Sequence, residues 1–328
     1  MSESTSRRAA LAAAVVVLVA AAVASVCVGA RGVPVAEAWA ALVDYAGTDD
    51  HVVVRDIRIP RTLLGVAVGA ALAVSGALVQ TLTRNPLAEP GILGVTSGAS
   101  FGILVSMALW QADGPAATMA AAAVGALAAT AAVYAVGGTS PLRLVLAGVA
   151  LTAVLAGLGL AIRMRSEDVF DSYRFWAVGS LAGRESAPTT LPLVVIAVCL
   201  IAAATLVGPL DAVSLGDEVA HAQGASVART RALTLLVLTL LAAAATAIAG
   251  PIAFVGLIVP HVFRRLAGGS TGWLVALCAV GGPALILIAD VLARLLLTTG
   301  EVPVAVVTAF IGGPVLIAVV RRHGVVDL

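Results

Sequence analysis

Long apolar runs alternate with short polar connections along this chain, and the runs are rich in Ala, Leu and Val without a two-residue alternation. Continuous apolar stretches of about 18–20 residues cross the hydrocarbon core as helix, whereas barrel strands alternate apolar and polar positions. Ten spans are predicted, near 9–29, 62–83, 92–110, 116–136, 142–163, 191–208, 230–249, 253–266, 273–297 and 302–320. The eighth is short and carries Pro260, which suggests a half-helix. The run at 9–29 follows Arg7 and Arg8 and is too long for a cleaved signal core, so it reads as a first membrane helix. The expected fold is an all-α polytopic membrane domain over 1–328, with both termini on one side.

Three connections carry more pattern than the others. Residues 31–61 are polar, with Trp39 and Tyr45 suited to the interface. Residues 164–190 mix charges with Phe170, Tyr173, Phe175 and Trp176, as an amphipathic surface helix does. Residues 211–227 read as a short helix that Ser214 caps, with Asp217 three positions on and Gly224 as its stop. Such a helix suits docking to a cytoplasmic partner; an ordinary connector fits the same pattern.

Two apolar stretches are interrupted. One reads RNPLAEPGILG (84–94), the other GPIAFVGLIVPH (250–261), and both contain P-x-A-x-x-G. Pro86, Ala88 and Gly91 match Pro251, Ala253 and Gly256 at an offset of 165. Proline and glycine disfavour continuous helix, and broken backbone within a membrane persists only inside protein or along a wet cavity. Asn85, Pro86, Pro90 and Gly91, with Gly250, Pro251, Gly256 and Pro260, are therefore candidates to line a path. The same offset carries 62–83 onto 227–248 and 142–163 onto 307–328. Five intervening spans would make the copies antiparallel, an inverted repeat with halves near 55–165 and 220–328. Gly69, Gly76 and Gly98 read as packing positions. His261 either lines the cavity or bonds carbonyls freed by the break.

Composition removes other classes. Hydrophobic residues make up 61% of the chain and charged residues 11%, too little charge to cover a soluble protein of this size. A net charge of +1 gives no reason to expect nucleic acid. Cys27, Cys199 and Cys278 fall in apolar runs and suit packing. No G-x-x-x-x-G-K-[ST] stretch occurs, so no P-loop is expected. No nucleophile–base pair or ligand cluster stands out, and neither an enzyme, a cofactor nor a resident metal is expected. With the N-terminus inside, ten arginines fall inside and nine outside, which decides nothing. The connections at 111–115 and 250–252 would then lie outside, and their lack of arginine favours that orientation. Asp290 and Arg294, four apart, share a helix face and suit an ion pair. An ion-driven secondary transporter would need ionisable groups deep in the bilayer, and Asp290 is the single candidate.

The stretches RIPRTLLGVAVGAALAVSGALVQTLTRNPLAEPGILGVTSGASFG (58–102), LRLVLAGVAL (142–151), SLGDEVAHAQGA (214–225), GPIAFVGLIVPHVFRRLAGG (250–269) and ADVLARLLLTTGEVPVAVVTAFIGGPV (289–315) resemble the permease family of ATP-driven importers for iron–siderophore complexes, haem and cobalamin. The resemblance implies ten helices per subunit and a dimer, with itself or a paralogue, around a path at the interface. It implies two cytoplasmic ATPase subunits, an external solute-binding protein, a metal–chelate cargo, an inner-membrane location and cytoplasmic termini. On the matching positions, Arg58, Arg61 and Arg294 would meet acids of the binding protein, which a guanidinium fork suits. Interfacial snorkelling for the first two, and pairing with Asp290 for the third, are the plainer readings. Leu215, Gly216, Asp217, Glu218 and His221 would contact the ATPase. Thr139 and Ser140 lie near the family's cytoplasmic gate, although Ser140 before Pro141 is also a helix start in its own right.

Overall fold

The computed structural model describes residues 3–323, except 30, 31, 111–113, 139, 186, 188, 223, 225, 298 and 299. The described residues form helices joined by turns, with no strand among them. In chain order the helices are α1 (Glu3–Cys27), α2 (Val35–Val43), α3 (Asp49–Val52), α4 (Ile59–Thr83), α5 (Val95–Trp110), α6 (Pro115–Gly137), α7 (Pro141–Arg165), α8 (Glu167–Trp176), α9 (Thr190–Ser214), α10 (Asp217–Ala222), α11 (Val227–Ala249), α12 (Val255–Ala267), α13 (Thr271–Leu295) and α14 (Val304–His323).

Each of the ten predicted apolar runs contains helix, but among the described residues seven helices are long and apolar enough to cross a membrane. The apolar parts of α5 and α14 cover Val95–Leu109 and Val304–Ala318, and α12 has 13 residues. At about 1.5 Å per residue α12 reaches only about 20 Å, short of a hydrocarbon core of about 30 Å. The proline- and glycine-rich breaks take residues out of helix just before α5 and α12, and this is what shortens them.

The segment 31–61 departs from its reading as a polar connection. It holds α2 and α3, and a π turn at Val53–Arg58 runs directly into α4. The result is one continuous helix from Asp49 to Thr83. Pro60 explains the wide turn. It has no N–H for the carbonyl of Asp56 and its ring crowds that carbonyl, and a π turn opens the helix there.

The centre of the molecule is α4, flanked by α13, α11, α9 and α12. About 83% of the apolar window of α4 is buried, against 11% for α7 and 17% for α1. Central helices approach closely where glycines meet. Gly69 of α4 faces Gly282 of α13, Gly76 of α4 faces Gly256 of α12, and Gly98 of α5 faces Gly125 of α6. A Cβ at any of the three would overlap backbone of the facing helix, so small residues set the spacing. Cys199 and Cys278 lie in this packed core.

Candidate functional site

The two broken segments meet inside the bundle. After Thr83 the chain leaves the helix through Arg84, whose φ of 52° is left-handed. The Asn85 carboxamide oxygen accepts from the Leu87 N–H at 2.8 Å, an Asx turn that suits the residue. A single 3-10 turn, Pro90–Leu93, then leads through Gly94 into α5. In the second segment α11 ends at Ala249, Gly250 turns with φ 75°, and the chain runs without helix to Phe254. Phe254 has φ 71°. A bulky residue in that region costs about 1–3 kcal/mol and persists only where its surroundings hold it.

Two contacts hold it. The Phe254 N–H donates to Glu89 Oε1 at 2.6 Å, across 165 positions, and its ring lies against Gly312 of α14. Glu89 thus joins the first break to the second. Pro260 sits inside α12 and cannot bond the carbonyl of Gly256, four residues earlier. Gln80 of α4 fills that role, its Nε2 donating to Gly256 O at 3.3 Å. Arg264 Nη2 in turn donates to Gln80 Oε1 at 2.6 Å. The Phe254 N–H and the Gly256 carbonyl are thus each met by a side chain from the first half of the chain.

Of the predicted path residues, Pro90, Gly250, Gly256 and Pro260 are buried, Asn85, Gly91 and Pro251 are half-buried, and Pro86 is exposed. Beside Pro251 a cleft of about 270 Å³ is lined by hydroxyls of Thr96, Ser97, Ser100, Thr152 and Tyr173 and by Arg163. Glu89 was missed in the sequence. Its signal was a lone carboxylate between Pro86 and Pro90 in an otherwise apolar break.

Arg58, Arg61 and Arg294, the candidates for meeting a binding protein, are only 4–6% exposed. Arg61 grips the fully buried Asp290 with Nη2 at 2.8 Å and Nε at 3.1 and 3.2 Å, and reaches Glu301 at 2.7 Å. Arg294 bonds the other side of Asp290 and also the Ser25 hydroxyl and the carbonyls of Ser25 and Val28. Arg58 donates to the carbonyls of Val26 and Cys27 at the end of α1. For Arg294 the pairing with Asp290 is therefore realised. Snorkelling is not realised for Arg58 or Arg61, because both turn into the protein. The cluster fastens α1, α4 and α13 at one end.

At the other end lies the segment 211–222. Ser214 does not cap α10 as expected. It is the last residue of α9, and its hydroxyl donates to Asp211 O at 2.7 Å. Gly216, with φ 126°, makes the turn into α10, and Gly224, with φ 77°, follows it. Ala220 is fully buried against Ala212, Val213 and Val227, while Leu215, Glu218 and His221 face solvent. The base is tied down twice: Arg84 Nη2 donates to Val213 O at 2.6 Å, and the Thr271 N–H donates to Asp211 Oδ1 at 3.0 Å. Ser140 stands at the N-cap of α7 with its carbonyl bonded to Leu144 N, but its side chain makes no cap. Thr139 lies outside the described residues.

Residues 17–322 match the FecCD transport family. The ferric enterobactin transport system permease protein FepD of Escherichia coli (strain K12) is 44% identical over 306 residues, covering 91% of this chain and 90% of FepD. The vitamin B12 import system permease protein BtuC of Vibrio cholerae serotype O1 (strain ATCC 39315 / El Tor Inaba N16961) is 36% identical over 305 residues, covering 91% of each chain. A solved structure assigned to the metal-chelate type of ABC transporter, in an inward-facing conformation, superposes with a TM-score of 0.81 at 29% identity, over 95% of this chain and 98% of that one.

Proposed function

The chain belongs to the FecCD transport family, and from that membership we propose that it is the membrane permease subunit of an ATP-binding cassette importer that carries a ferric siderophore into the cytoplasm. The observation that carries the reading is the family match over nearly the whole chain, together with two broken segments meeting within one bundle. A siderophore is favoured by the 44% identity to a ferric enterobactin permease. The vitamin B12 permease, at 36%, keeps cobalamin or haem as the second reading.

In this proposal the subunit pairs with a second permease, and cargo passes between them along the broken segments. The bare apolar face of α7, with Leu146, Val149 and Val154 exposed, supports such a pairing surface. Two ATPase subunits on the cytoplasmic side would seat against Leu215, Gly216, Asp217, Glu218 and His221. Arg84 and Asp211 would transmit their movement to α4 and α13, because they tie the base of α10 to both. A gate near Thr139 and Ser140, at the start of α7, belongs to the same proposal. The external binding protein would dock at the opposite end, where Arg58, Arg61 and Arg294 hold the rim from within and Arg55 and Glu301 reach solvent. The proposal also includes an inner-membrane location, ten membrane segments in an inverted repeat and cytoplasmic termini, with α5, α12 and α14 as the short members.

Reconstitution in liposomes with the cognate ATPase and binding protein tests it. ATP-dependent accumulation of a ferric chelate, lost when either companion is omitted, is expected. Accumulation driven by a proton gradient with this chain alone would overturn it.

A further inference from the structure

A cleft of about 300 Å³ opens where the end of α4, the ends of α9 and α12 and the start of α13 converge. Its polar lining includes Gln80, Thr81, Arg84, Ser214, Arg264 and Ser270. Among the described residues that line it, none is acidic. On the adjoining end of α9, Asp211 accepts the Thr271 N–H with Oδ1. Arg264 Nη2 serves Gln80, but Arg264 Nε is buried with no hydrogen-bond partner among the described residues. A buried guanidinium N–H left unmet is costly and calls for an explanation. Ser270 Oγ accepts from the Trp273 N–H, which leaves its own proton to donate into the cleft. Arg7 of α1 donates to Gly268 O, one residue before Gly269 of the lining. The cleft thus offers donors and positive charge, in a space that holds several waters at about 30 Å³ each.

From this lining we infer that the cleft is a phosphate-binding site, with Arg264 and Arg84 as its charged ligands and Ser270 as a hydroxyl donor. Guanidinium forks match phosphate oxygens in pairs, and the cleft lies where four helix ends converge. The phosphate is presented by an anionic phospholipid headgroup or comes free from solution. The site adjoins Ser214 at the base of α10 and shares Arg264 with the Gln80–Gly256 contact, so occupancy bears on both. The inference stands on the cleft itself and does not depend on the transport reading.

Purified full-length protein in a zwitterionic detergent is titrated with inorganic phosphate, with short-chain phosphatidylglycerol and with short-chain phosphatidylcholine, and thermal unfolding is followed. Saturable stabilisation by phosphatidylglycerol alone identifies the headgroup as the source. Stabilisation by inorganic phosphate as well identifies the free anion. Either response should weaken at least about tenfold in Arg264→Gln and less in Arg264→Lys, which keeps charge but loses the fork. Arg229→Gln, an exposed arginine outside the cleft, should bind as the parent does. No saturable response to either anion, equal responses to all three ligands, or unchanged affinity in Arg264→Gln would overturn the site. If Arg264→Gln does not fold, the comparison of Arg264→Lys with the parent decides, and equal affinity there overturns it.

Discussion

Asp290 is fully buried and holds two guanidiniums, Arg61 and Arg294, from two helices. Removing one member of a buried charge cluster leaves the others uncompensated, at about 3–5 kcal/mol. Asp290→Asn should therefore lower the unfolding temperature in detergent sharply, whereas Asp56→Asn, at an exposed position, should leave it near the parent value. Glu89 makes the second residue-scale prediction. Glu89→Gln keeps an oxygen acceptor for the Phe254 N–H and should hold the unfolding temperature near the parent value, whereas Glu89→Leu removes the acceptor and should lower it. Equal unfolding temperatures in the two variants would remove Glu89 from the account. The ion pair of Asp290 with Arg294 was legible from their spacing of four. The contacts of Arg61 were not, because its partners Asp290 and Glu301 lie 229 and 240 positions away along the chain, and such pairing is a property of the packed bundle.

At the scale of elements, α12 shows what sequence carries and what it does not. Its shortness and its proline were readable, since proline deprives a carbonyl of its donor wherever it sits in a helix. That Gln80 would supply the donor was hidden, because α4 and α12 lie far apart in the chain. Gly76 was readable only as a packing glycine, and its partner Gly256 is what makes it irreplaceable. Gly76→Leu should separate α4 from α12, break the Gln80 contact and abolish transport while the protein still inserts; transport at the parent rate would show that the close approach is dispensable. Ser214 and Ser140 illustrate the reverse error. A serine before an apparent helix start suggests a cap, yet Ser214 finishes α9 and Ser140 leaves its side chain out. The backbone turn at Gly216, not a side chain, starts α10.

On the scale of the whole molecule, the chain belongs to the FecCD transport family over residues 17–322. Polar groups gather at a locked cluster at one end, at the joined pair of breaks within, and at the other end in the solvent-facing α10 and the cleft beside it. Composition and the matched P-x-A-x-x-G stretches made the class and the breaks legible. The joining of the breaks through Glu89 and Phe254 depends on which faces meet, and no local pattern records that. The proposed passage is tested most directly at Ala253, exposed in the second break. In the full complex reconstituted with ATPase and binding protein, Ala253→Cys should react with a water-soluble maleimide, at a rate that changes several-fold when ATP is added. Reaction only with a lipid-soluble reagent, at a rate indifferent to ATP, would place the break against lipid and contradict the account.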